Sequence, residues 1–104
     1  MSNKTLDAAT KKHYRTIGHN LNPIVTVSDN GLSEGVWAEL ERALEDHELI
    51  KIKLNYSDPK ARKDISAEIC EKTKSLLVQN IGKVTLIYRP AKKPNPKLSN
   101  LLRV

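Results

Sequence analysis

The chain has 104 residues, 38% of them hydrophobic, which suits one domain built on a single compact core. No apolar run approaches the roughly 18–20 residues of a membrane span, no apolar block follows the first residues as in a secretory leader, and the lone Cys70 excludes an internal disulfide. With 18 Lys+Arg against 12 Asp+Glu the formal charge is +6, so a polyanion is the expected partner; no Cys/His group has zinc-finger spacing, and a reducing cytoplasm is the expected compartment.

Leu6, Tyr14, Ile17 and Leu21 recur at near-helical spacing, with Lys11, Lys12 and Arg15 on the other side. Asp7 is placed to cap this first helix, and Gly18 or Asn20 to stop it. Pro23–Val27 is short and β-branched and ends at the turn run Ser28-Asp29-Asn30-Gly31, which marks a buried strand. Ser33 then precedes a second helix with Val36, Leu40, Ala43 and Leu44 inward and Glu34, Glu41, Glu45 and Glu48 outward. Trp37 lies at the edge of that stripe, where packing is expected. From Leu49 to Asn55 the pattern alternates, Ile50, Ile52 and Leu54 against Lys51 and Lys53, as in a half-buried strand. Pro59 suits the start of a third helix with Ile65, Ile69 and Thr73 inward. Leu76–Ile81 and Val84–Arg89 form a hairpin around Gly82-Lys83. Pro90, Pro94 and Pro96 follow, so residues 91–104 are expected as a basic, flexible tail behind a domain of residues 5–90.

The order helix-strand-helix-strand-helix-strand-strand makes an α/β domain with a mixed four-stranded sheet, since crossover helices favour parallel neighbours and the last pair must be antiparallel. Lys51, Lys53, Thr85 and Arg89 are expected to share the sheet face opposite the two central helices. Charge is uneven along the chain. Residues 1–27 carry four bases and one acid, residues 28–71 six bases and eleven acids, and residues 72–104 eight bases and no acid. The positive field therefore belongs to the two ends.

Catalysis has little support. His47-Glu48-Leu49-Ile50-Lys51 opens like a zincin motif but has lysine where the second histidine must stand. His13 and His19 fall on different sides of a helix. Cys70 has Glu71 beside it, which does not favour a thiolate. No glycine pattern for a nucleotide occurs. No catalytic residue, metal or cofactor is expected.

The turn from Val27 to Ser33 is more informative. A helix beginning after Ser33 points unpaired N–H groups and a positive dipole end back toward this loop, and Asn30 and Gly31 tolerate the positive φ of a tight turn. Such a corner suits a phosphate. Only Tyr14, Trp37, Tyr56 and Tyr88 are aromatic, too few for a base-stacking platform, so contact through phosphates is favoured.

His19-Asn20-Leu21-Asn22-Pro23, Asn30-Gly31-Leu32, His47-Glu48-Leu49-Ile50-Lys51, Ile81-Gly82-Lys83 and Leu86-Ile87-Tyr88-Arg89 together resemble the YhbY group of the CRM RNA-binding domains over about residues 5–90. The resemblance implies a fold similar to the C-terminal domain of initiation factor three. It also implies RNA binding and, for bacterial stand-alone members, association with precursors of the large ribosomal subunit. The family's GxxG loop falls on Ser28, Asp29, Asn30 and Gly31, with serine in place of the first glycine. Expected RNA-binding residues are Ser28, Asn30 and Gly31, carried over from that loop, with Lys11, Lys12, Arg15, Lys51, Lys53, Lys83 and Arg89 around it, resting partly on the charge pattern. His47 and Glu48 are expected to fix the junction between the second helix and the next strand. A monomer binding ribosomal RNA, with no membrane partner, is the expected form. The alternative is a protein–protein adaptor on ribosomal particles using the acidic face of the second helix.

Overall fold

The computed structural model describes residues 6–28 and 31–102. Asp7 caps α1 (Ala8–Gly18), its carboxylate accepting the Thr10 N–H at 2.7 Å, and that bond holds the carboxyl below its ordinary pKa. Ser33 caps α2 (Glu34–His47) and accepts the Val36 N–H at 3.3 Å. Asp58 caps α3 (Pro59–Thr73), where Pro59 stands at a position whose N–H would have no helical partner. The strands are β1 (Val25–Val27), β2 (Leu49–Leu54), β3 (Leu76–Ile81) and β4 (Val84–Tyr88).

The sheet runs β1-β2-β4-β3, with β1 parallel to β2 and both β4 pairings antiparallel. The crossover through α3 therefore skips one strand, and β4 returns to fill the gap. The expected mixed four-stranded α/β sheet is what forms. α2 and α3 cover one face, where Val25, Val27, Ile50, Ile52, Leu54 and Ile87 meet Leu40, Leu44 and Ile69. α1 covers part of the other, where Ile17 packs with Leu49, Val78 and Leu86. Tyr14 tilts against Tyr88 at 4.9 Å, and burial with this neighbour pushes the Tyr88 hydroxyl up to about 12.

The faces differ from expectation at two residues. Thr85 is opposite Ile52 in the β2–β4 register, so it points toward α3, where it is buried and donates to Asn80 Oδ1 at 2.7 Å. Arg89, four residues on, keeps that side by the two-residue period. Lys51 and Lys53 instead oppose Leu86 and Val84, on the α1 side.

Gly18 is the last residue of α1, and packing is what requires a glycine there. A Cβ there would lie 2.5 Å from Leu86 Cδ2, and Leu86 is buried. Alanine favours a helix over glycine by about 1 kcal/mol, whereas overpacking a core costs about 1–3 kcal/mol. Gly18→Ala is thus expected to lower the unfolding free energy by about 1 kcal/mol in a urea titration. A more stable variant would show that Leu86 yields freely.

Residues 91–102, expected as a flexible tail, are instead docked as a strap. The Glu48 carboxylate is buried and accepts the Ala91 N–H at 2.8 Å and the Ser99 hydroxyl at 2.7 Å. Glu45 accepts the Lys92 N–H at 2.9 Å, and His47 Nδ1 donates to the Leu98 carbonyl at 2.8 Å. Asn100 donates its backbone N–H to the His47 carbonyl and its side-chain amide to the Leu49 carbonyl, and Leu101 packs on the α1-side core. Prolines preclude a helix or strand here but not side-chain-anchored packing, which composition does not reveal. His47 and Glu48 do fix the α2–β2 junction, and the strap is what they hold.

Candidate nucleic-acid interface

The C-terminal ends of β1 and β2 and the β3–β4 hairpin lie together at one end of the sheet. There the Asn55 N–H donates to the Val27 carbonyl at 2.8 Å and the Leu54 N–H to the Lys83 carbonyl at 2.6 Å. Gly31 adopts φ +65°, a conformation that disfavours side-chain-bearing residues, and its N–H closes the turn on the Ser28 carbonyl at 2.7 Å. The same carbonyl accepts the Tyr56 hydroxyl. Arg62 Nη1 in turn donates to the Tyr56 and Ser57 carbonyls at 2.7 and 3.0 Å. The loop is thereby braced from the neighbouring β2–α3 connection. Asn30, expected beside Gly31, lies outside the described residues. Tyr56 has no role in this loop by sequence reasoning, because no local pattern marks a hydroxyl reaching 28 residues back.

Lys83 sits in the hairpin at this same end of the sheet, on the other side of β2 from the loop. Lys53 stands one row down, in a line of residues Thr26, Lys53, Val84 and Ile81 across the sheet. Lys51 is in the next row with Leu86 and Gln79. On α1, Lys11 and Arg15 are four apart and followed by His19, which keeps helical dihedrals as the C-cap, so the three form one stripe. That stripe runs toward Lys51, since His19 and Lys51 border the same groove. Lys12 is exposed farther round the helix.

Arg89 does not join this surface. Its guanidinium pairs with Glu41 at 2.8 Å and Glu45 at 3.6 Å, donates to the Thr73 carbonyl at 3.0 Å, and is mostly buried on the opposite side of the sheet. It staples α2 to the end of α3. The acidic side of α2 is correspondingly engaged inside the chain, by Arg89 and by the strap at Glu45.

Among the described residues no group of three or more His, Cys, Asp or Glu is placed to hold a metal, and no helix is long and apolar enough to cross a membrane. Burial pushes the Cys70 thiol above its ordinary pKa, keeping it protonated and unreactive at neutral pH.

The arrangement has relatives. Residues 6–89 match the model of the CRS1 / YhbY (CRM) domain. A protein of Pseudomonas aeruginosa named a probable RNA-binding protein is 53% identical over 93 residues, 89% of each chain. An RNA-binding protein of Haemophilus influenzae is 40% identical over 94 residues, covering 90% of this chain and 95% of its own. The solution structure of a hypothetical protein from Staphylococcus aureus superposes with a TM-score of 0.75 at 31% identity, over 86% of this chain and 93% of that one. Family model, sequence relatives and backbone agree over the same span, and the chain belongs to the CRS1 / YhbY (CRM) domain family.

Proposed function

We propose that the protein binds RNA without catalysing a reaction, and that its target is ribosomal RNA in precursors of the large subunit. The observation that carries the reading is the placement of the Gly31 turn, Lys83, Lys53 and Lys51 along one end and one face of the sheet, with the Lys11–Arg15–His19 stripe leading into it. Tight turns before a helix N-terminus and arrayed lysines both favour a ribose-phosphate backbone. The names of the two sequence relatives support RNA as the partner class. The ribosomal target rests on the likeness to the YhbY group, and a cytoplasmic monomer without cofactor is the form proposed.

Replacing Lys11, Lys12 and Arg15 together by alanine is expected to weaken binding and flatten the salt slope by roughly 0.7–0.9 log units for each phosphate left unneutralised. A wild-type slope in that variant would place the surface elsewhere. Crosslinking in cells followed by sequencing should recover large-subunit rRNA precursors. Recovery of other transcripts alone would overturn the ribosomal target.

Gly31→Val tests the turn. A Cβ has room, with Tyr56 Oη the nearest atom at 4.0 Å, so the strain comes from φ alone, about 1–3 kcal/mol. RNA affinity is expected to fall several-fold with only a modest drop in melting temperature. Unchanged affinity would make the turn structural.

A further inference from the structure

α1 leaves the upper rows of its sheet face uncovered. There a shallow groove of about 300 Å3 is bordered by His19, Lys51, Gln79, Ile81, Val84 and Leu86. Its chemistry is mixed. Ile81 is 60% exposed and Val84 half-buried, an aliphatic floor that none of the described residues covers. Gln79 and His19 border it with hydrogen-bonding groups, and Lys51 adds a cation, with Lys53 in the neighbouring row. Among the described residues no acid borders the groove.

We infer that this groove holds one unpaired base of the RNA, its ribose-phosphate resting on Lys51 and Lys53; the inference rests on the RNA-binding reading above and adds a preference for unpaired nucleotides. Charge selects the occupant: a polyanion meets lysines here, and among the described residues no acidic side chain stands on the walls to meet a basic partner. Apolar floor and polar rim select the part of it, because a phosphate gains nothing from Ile81 or Val84, whereas the flat face of a base buries against them and its edge hydrogen-bonds to the amide. The volume lies at the small end of about 300–1,000 Å3 typical of small-molecule sites, which suits one nucleotide and excludes a duplex. In A-form helices the bases are stacked away from such a surface, so the nucleotide must be unpaired.

The test compares two blunt-ended RNA duplexes of equal strand lengths and phosphate number, one fully complementary and one in which three central mismatches leave bases unpaired. Wild-type protein is expected to prefer the mismatched RNA by roughly tenfold, the effect of one buried apolar contact with one hydrogen bond. Ile81→Ser and Gln79→Ala change no charge, so each should lower that preference at least threefold while leaving affinity for the fully paired duplex and the salt slope unchanged. Ile81 is exposed, and its variant should melt like the wild type, which keeps the comparison clear of unfolding. Equal binding of both RNAs by the wild type, or an unaltered preference in both variants, overturns the inference and leaves the RNA-binding reading standing. Failure to bind either RNA at low salt overturns both. A wild-type dimer that Ile81→Ser converts to monomer, with RNA preference intact, would assign the face to a second copy and also overturn it.

Discussion

Truncation after Arg89 is expected to destabilise the domain by about 3–5 kcal/mol, the scale of losing two hydrogen bonds to a carboxylate together with the packing of the segment that supplies them. Glu48 decides this. Its side chain is buried, and its two oxygens accept the Ala91 N–H and the Ser99 hydroxyl, both supplied by the strap. Its backbone carries φ +62°, a strained value for a residue other than glycine, held by the Leu44 carbonyl accepting its N–H and the Arg89 N–H donating to its carbonyl. Without residues 90–104 the carboxylate faces a vacated surface, Leu101 no longer packs on the α1-side core, and the Leu49 carbonyl loses the Asn100 amide. Against a total of about 5–15 kcal/mol for a domain this size, such a loss lowers the melting temperature by at least about 10 °C. The coupling is the sharper measurement. Glu48→Ala should cost about 2–4 kcal/mol in the full chain and almost nothing in the truncated one, because its partners are already gone. Truncation costing under 1 kcal/mol would mean that the strap is not part of the fold.

Most of the fold was legible because its signals are local. Asp7, Ser33 and Pro59 stand where helices begin, and the alternation through Leu49–Leu54 marks the strand and its inner face. What escaped depends on pairings between distant residues. Thr85 and Arg89 look like surface positions by composition, but the β2–β4 register turns them toward α3 and α2, and no local pattern states that register. The strap escaped for a related reason. Lysines and prolines describe a chain that cannot form a helix, while its anchors are single side chains from 43 to 51 residues away. At the candidate site, Gly31 and the lysines were visible by type and position. Tyr56 and the open aliphatic patch at Ile81 and Val84 were not, because strand periodicity alone cannot say how far α1 covers its sheet face.

Replacing Lys51 and Lys53 by glutamine is expected to weaken RNA binding about 20-fold at 0.1 M salt and to reduce the salt slope by about 1.4, the release of two phosphates of a single strand. Glutamine keeps enough of the stem to cover the sheet, so stability should hardly move. Arg89→Ala is the necessary contrast, since net charge falls there too. Its side chain is 17% exposed and already paired with Glu41 and Glu45, so removing it should cost about 2–4 kcal/mol of stability and leave the slope for the folded protein as it was. If net charge alone governed affinity, both changes would flatten the slope in proportion to the charge removed. If position governs, the lysine pair changes binding without stability and the arginine changes stability without binding. A slope that falls equally in Arg89→Ala and in either single lysine variant would reduce the interface to a diffuse positive field and deny Lys51 and Lys53 any particular contact.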